Sequence, residues 1–320
     1  VAIRRAARDE ATALLDAARA AVLVRYREVD ALNFADPADV RVADLGRGVH
    51  IAWLGLRPAH RLPLRAHYGY LVLKNGVPVG YGDASLLFER VELTYNVFET
   101  FRQGESAFIF VRLVAFLGQH LGVRVVSLSR YQIGYQNAEA LDSGAFWFYD
   151  KLGFRSDRAD LRRLAASERR RIRAEPGYRS PGAMLARLSE AGMIAALGAG
   201  RATGLDVRPL ALRAAAAGRH ARPARLTAWV SRALGTGRRP AWRPAERVAL
   251  ERLAPVLALI PDPRTWPARE RCALAEVIRA KARTDEAGYL RRLRSHGRPR
   301  RWLVALAGQI SPEVSSPSPR

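Results

Sequence analysis

The 320-residue chain has one cysteine, Cys272, two methionines and only three lysines, at positions 74, 151 and 281. A single thiol excludes an internal disulfide and any zinc site built on several thiolates. The six histidines show no HxxxH or comparable spacing, so no metal is expected. The longest apolar run, residues 107–118, is broken by Arg112 and falls short of the ~20 residues a bilayer span needs. Together these absences lead to an expected cytoplasmic setting. The chain opens on Val1 rather than Met, which is compatible with its being part of a longer protein.

Arginine is what the chain has in excess. Lys and Arg number 53 against 30 Asp and Glu, a net charge of +23, and the excess is uneven. Up to residue 155 there are 19 basic against 16 acidic residues; beyond it there are 34 against 14. This change of character predicts a boundary after residue 156. The basic half is read either as an arginine-biased composition with solvated helix faces or as a contact surface for a polyanion, nucleic acid or an acidic partner.

Apolar residues recur at helical spacing over 3–29, predicting an N-terminal amphipathic helix or helix pair within 1–30. Two hairpins are expected next: 40–45 with 49–54 around Gly46-Arg47-Gly48, and a second whose Asn75-Gly76 suits a tight left-handed turn. A strand at 90–98, a buried helix at 105–121 stopped by Gly122, a strand at 123–129 and a helix at 142–152 follow. The order predicts an α/β (α+β) fold, a mixed central sheet flanked by helices. Residues 157–308 read as a mainly helical module, including a helix over "PGAMLARLSEAGMIAAL", and 309–320, rich in Ser and Pro, as a disordered tail.

The stretch "DSGAFWFYDKLGF" (142–154) places Asp142, Ala145, Tyr149 and Gly153-Phe154 at regular intervals. Its plain reading is a core helix closed by a Gly stop. The spacing also resembles the N-x-x-A-x-x-x-Y-x-x-x-G-F segment of the GCN5-related N-acetyltransferases, with Asp142 where that family usually carries Asn. Upstream, "FRQGESAF" is similar to the family's R/Q-x-x-G-x-G/A turn. Read without a gap, Arg102 and Ala107 take the outer positions and Glu105 replaces the middle glycine; with one deletion, Gly104 and Ser106 take the last two. The resemblance covers about 65–156 and implies a GNAT-like fold for residues 1–156.

It further implies that acetyl-CoA or another acyl-CoA is the cosubstrate, lying between strands 90–98 and 123–129, and that an amine attacks the thioester. Residues Arg102, Gln103, Gly104, Ser106, Ala107 and Asp142 would then serve the cofactor, with phosphate held at a helix start. Glu105 opposes an anion there, so its side chain must point away. The amides around Val97 and Phe98 would hold the oxyanion, and Tyr149 would protonate the leaving thiolate. Glu92 is the first candidate for the base, with Glu89 and Glu99 as alternatives. Tyr131, Gln132, Asn137 and Glu139 line an acceptor pocket or cap the helix, and Asp142 is a candidate N-cap. The function expected is an acyl-CoA-dependent N-acyltransferase acting on an amine. The alternative is a catalytically impaired module of the same fold joined to a basic helical domain.

Overall fold

A computed structural model describes residues 1–102, 104–198, 205–235 and 242–308. The chain divides into two compact units, residues 1–204 and 205–320.

The first unit opens with a strand, β1 (Ala2–Arg5), followed by α1 (Arg8–Leu23) and the short α2 (Asp30–Asn33). The expected helix pair is thus preceded by an edge strand, because Ala2–Arg5 pairs antiparallel with residues 41–44. Glu10 holds the start of α1, accepting the Ala7 N–H at 3.3 Å and a two-pronged bond from Arg4 at 2.6 and 2.7 Å. Four long strands follow: β2 (Ala35–Gly46), β3 (Val49–Leu56), β4 (Ala66–Lys74) and β5 (Val77–Leu87). The β4–β5 turn sits on Asn75 and Gly76, both at positive φ, as the dipeptide predicted.

Next come β6 (Arg90–Leu93), β7 (Asn96–Val97), α3 (Ser106–Leu121) and β8 (Val125–Leu128). They are followed by α4 (Ala138–Asp142), α5 (Ala145–Lys151), β9 (Arg155–Ser156), α6 (Ala159–Ala174), α7 (Gly182–Leu188) and β10 (Met193–Ala196). The sheet runs β1-β2-β3-β4-β5-β6-β8-β10-β9, with β7 alongside β5. Among the described residues only β6 and β8 are parallel, and the other pairings are antiparallel.

Strand alternation divides the core between two faces. Leu54, Leu71, Leu73 and Tyr81 pack under α1 with Leu15, Ala18 and Val22. On another contact line Trp53 meets Tyr68, Tyr70 and the edge of Phe116 from α3, with ring centres 4.9–6.0 Å apart.

The boundary expected after residue 156 does not match this architecture. Helix α7 covers only the first part of the helix expected over 181–197; Met193–Ala196 is instead the strand β10, which pairs with both β8 and β9. Its local sequence suits a helix; pairing the otherwise open edge of β8 overrides that preference. Gly192 allows the approach, since a Cβ there would lie 2.5 Å from the Leu128 carbonyl.

The second unit is helical among its described residues: α8 (Arg208–His220), α9 (Pro223–Ala233), α10 (Pro244–Leu257), α11 (Ala268–Lys281), α12 (Glu286–Ser295) and α13 (Gly297–Gly308). Leu250, Leu253, Leu274, Ile278, Tyr289 and Leu290 form its interior. One ion pair, Lys281 with Glu286, is buried among them, with Lys281 Nζ 4.4 Å from the Tyr289 ring centre. The tail 309–320 lies outside the described residues.

Candidate active site

The sheet opens where its two parallel strands part. β6 and β8 pair through Glu92 and Ser127. Beyond that point residues 94–98 stay on β5, with Thr94 and Phe98 donating their N–H groups to Asp83 and Val79. β8 instead pairs with β10. Antiparallel alternation therefore turns the main-chain groups of Tyr95 and Val97 away from β5, into the opening.

Side chains occupy most of these turned groups. Gln132 donates Nε2 to the Tyr95 carbonyl at 2.8 Å and accepts the Tyr95 N–H at 3.4 Å, which also fixes which way its amide points. Arg102 Nε donates to the Val97 carbonyl at 3.1 Å. The Val97 N–H faces the opening. The expected pair of amides at 97 and 98 reduces to one, because Phe98 N–H is held by Val79 at 2.9 Å. The Phe98 ring packs in the α1 core, under the Arg25 guanidinium at 3.4 Å.

A slot of about 170 Å³ fills the opening, lined by Tyr95, Val97, Arg102, Ser106, Ala145 and Tyr149 among others. Tyr149 is 2 % exposed, and its hydroxyl accepts a 3.0 Å bond from Gln132 Nε2. Since Gln132 donates, the tyrosine proton remains available to the slot. Burial pushes the Tyr149 hydroxyl well above the ordinary phenol range, the Gln132 bond opposing this in part. Phe110, Phe148 and Phe154 surround its ring at 5.0–5.9 Å. Gly153, at φ +93°, turns the chain so that Phe154 N–H returns to the Tyr149 carbonyl. The other aromatics are structural: Phe146 is buried, and Trp147 Nε1 donates to Ser180, itself bonded to buried Glu168.

The turn before α3 departs from expectation in detail. Gly104 takes φ +87° and is exposed, as is Ala107; neither lines the slot. Gln103 lies outside the described residues. The Ser106 hydroxyl donates to the Arg102 carbonyl at 2.8 Å, so it lines the slot as an acceptor, not as the free donor expected. Glu105 is drawn aside by Lys74, whose Nζ lies 2.9 Å from it. The carboxylate that opposes an anion at the start of α3 is thereby paired with a cation. Arg102 also pairs with Glu139, which Arg27 holds from the other side at 2.8 Å.

Asp142 is the last residue of α4, exposed and outside the slot. It does not cap the following helix, since Gly144 begins α5 in a left-handed turn; Asn137 caps α4, accepting the Ala140 N–H. Ser143, next to Asp142, lines the slot instead. Glu92 is exposed, pairs with Arg65 at 3.1 Å, and lines neither the slot nor the larger space beside it. Glu89 also lies outside both, whereas Glu99 borders the larger space.

That larger space, a chamber of about 690 Å³, shares Asn96, Val97, Arg102, Gln132, Asn137 and Glu139 with the slot. Its remaining wall includes Arg25, residues 27–30, Tyr131 and a group missed in the sequence: His67, Asp83 and Thr94. His67 lies on β4, Asp83 on β5 and Thr94 between β6 and β7, and no sequence spacing could have joined them. Only the hairpin register brings them together.

No helix among the described residues is long and apolar enough to cross a membrane. Among the same residues no group of three or more His, Cys, Asp or Glu side chains is placed to hold a metal ion. No family model matches the chain, and no curated protein matches it. Among solved structures, the N-acetyltransferase PseH of Campylobacter jejuni aligns over 41 % of this chain and 69 % of its own, at 10 % identity and a TM-score of 0.26.

Proposed function

We propose that the first unit is an acyl-CoA-dependent N-acyltransferase, with acetyl-CoA as the donor. The observation that carries the reading is the slot where β6 and β8 part. Two hydrogen-bond donors face it, the Val97 N–H from the main chain and the Tyr149 O–H from α5. A thioester bound there directs its carbonyl oxygen to Val97, which stabilises the oxyanion formed on amine attack. Tyr149 faces the sulfur. Its raised pKa keeps it protonated before reaction and makes complete transfer to a thiolate harder, so it acts first as a hydrogen-bond donor to the departing sulfur. The first turn of α3 and Arg102 supply the attraction for the pyrophosphate.

The impaired-module alternative draws on the Arg102–Glu139 pair, which already occupies the phosphate-binding arginine. Calorimetry with acetyl-CoA separates the two, followed by a free-CoA release assay over a panel of primary amines. Binding and amine-dependent release support the enzyme; absence of binding by the wild-type chain sinks it. The arginine excess beyond residue 155 supports, in the same proposal, a polyanion contact through 157–320.

A further inference from the structure

We propose that the second unit carries a ligand site of its own: the cavity where α11, α12 and α13 meet binds the phosphate group of a small phosphate ester through Arg269, Arg292 and Arg301. This goes beyond the acyl-transfer reading and stands or falls separately from it.

The cavity measures about 590 Å³, within the ~300–1,000 Å³ common for small-molecule sites. Four of its ten lining residues are arginine, against 50 in the 320 residues of the chain, so the concentration exceeds what an arginine-biased composition supplies. The four come from three helices. Arg269 stands in the first turn of α11, Arg292 in the last turn of α12, and Arg298 and Arg301, three apart, share one face of α13. A stripe of cations along one helix suits a polymer. Cations arriving from three directions round one hollow suit a compact anion.

His296 builds the hollow. Its N–H donates to the Arg292 carbonyl at 3.1 Å and closes α12, and its own carbonyl accepts the Arg300 N–H at 3.3 Å and opens α13. Its buried ring lies with Nε2 2.9 Å from the Glu270 carbonyl of α11; a carbonyl only accepts, so Nε2 carries the hydrogen. One residue thus ties the three helices together, with the Trp266 ring packed edge-to-face at 5.8 Å between centres.

The polar balance of the wall selects the sign of the ligand. The carboxylates are already engaged, Glu270 by Arg298 and Glu276 by Arg279 at 2.6 Å. So are two carbonyls: that of Glu270 takes His296, and that of Arg292 takes the His296 N–H and, at 3.0 Å, the Ser295 hydroxyl. Among the described residues no acidic side chain pairs with Arg269, Arg292 or Arg301, all three exposed. The starts of α11 and α13, at residues 268 and 297, add the positive ends of two helix dipoles. A phosphate monoester brings about two negative charges and three terminal oxygens, which guanidinium forks meet in pairs. The volume beyond what one phosphate fills takes the group esterified to it.

The test titrates the full chain with ribose 5-phosphate, followed by calorimetry. The wild type is expected to bind it, and Arg269→Gln, Arg292→Gln and Arg301→Gln each to weaken binding about tenfold. Arg291→Gln is the matched control. Arg291 neighbours Arg292 on α12, is exposed as well and is absent from the wall, so its loss removes the same charge from the same helix and should leave the affinity nearly unchanged. Equal weakening by Arg291→Gln and Arg292→Gln overturns the site, because it reports only the general field of the arginines. Absence of binding by the wild type overturns it too. Binding lost in Arg102→Gln and kept in Arg292→Gln places the ligand in the slot of the first unit and has the same consequence. Inorganic phosphate separates the sources of the anion: it should bind more weakly than the ester, and equal affinity overturns the assignment to an ester. A single-stranded oligonucleotide that binds the wild type and Arg292→Gln alike, while the ester binds neither, marks a polymer contact elsewhere and overturns the pocket. The substituted arginines of the second unit are exposed, so these variants should unfold at the wild-type temperature, which separates lost binding from lost fold. No arm uses acyl transfer, so failure of that reading leaves the result intact.

Discussion

The two halves of the sheet are held together by different means. From β2 to β5 the strands are 8 to 12 residues long and the main chain pairs with itself. From β6 onward no strand among the described residues exceeds four residues, and around Tyr95 and Val97 the pairing is done by Gln132 and Arg102. Where backbone pairing is complete there is no free donor to offer a ligand. Where it lapses, side chains close most of the gap and leave the Val97 N–H and the Tyr149 hydroxyl facing a cavity. The long half should therefore govern stability and the short half chemistry.

The largest stability effect is expected in the long half. Trp53→Ala empties a site packed by Tyr68, Tyr70 and Phe116 and should cost about 3–5 kcal/mol, measured by denaturant unfolding. In the short half Tyr149→Phe should lower CoA release about 100-fold, with stability changed by only about 1 kcal/mol for the lost Gln132 bond. A Tyr149→Phe chain that unfolds as easily as Trp53→Ala would erase the contrast.

Gln132→Leu falls between the two regions. It leaves the Tyr95 N–H and C=O without their partner, which should cost about 1–3 kcal/mol, and it frees Tyr149 to turn, so turnover falls as well. Smaller still, Glu139→Gln should release Arg102 and tighten acetyl-CoA binding a few-fold at low salt, fading as screening increases. Unchanged affinity would mean that Arg102 does not serve the phosphate.

Alkali gives a test that acts on both halves. Burial raises the hydroxyl pKa of Tyr70 in β4 and of Tyr95 and Tyr149 beside the slot. A folded pKa above the unfolded one stabilises below the unfolded value, about 10 for tyrosine, and that stability is lost as pH rises beyond it. Absorbance at 295 nm should show these phenols ionising only together with unfolding. For the basic second half, retention of the full chain on heparin that falls steeply with salt is expected of a polyanion contact; weak, salt-insensitive retention returns the arginines to solvated helix faces.

The hairpin at Asn75-Gly76, helix α3 with its Gly122 stop and most of the helices beyond residue 157 were legible because each rests on local periodicity or turn chemistry. Tyr149 was legible through its spacing from Ala145 and Gly153. Glu92 was chosen from the correct strand, yet its direction depends on Arg65, 27 residues earlier. β10 was hidden because its pairing partner lies some 68 residues back.

By itself, then, the sequence determined the order of elements from β2 to β8, the left-handed turn at Asn75-Gly76 and the aromatic setting of Tyr149, all of which follow from neighbours a few positions apart. Tertiary structure alone decided that Val97 rather than Phe98 presents its N–H, that Lys74 draws Glu105 aside, and that His67, Asp83 and Thr94 meet. The reason is physical: sheet register and strand splay are set by pairing between distant segments, and a shift of one residue turns every side chain and every N–H to the opposite side.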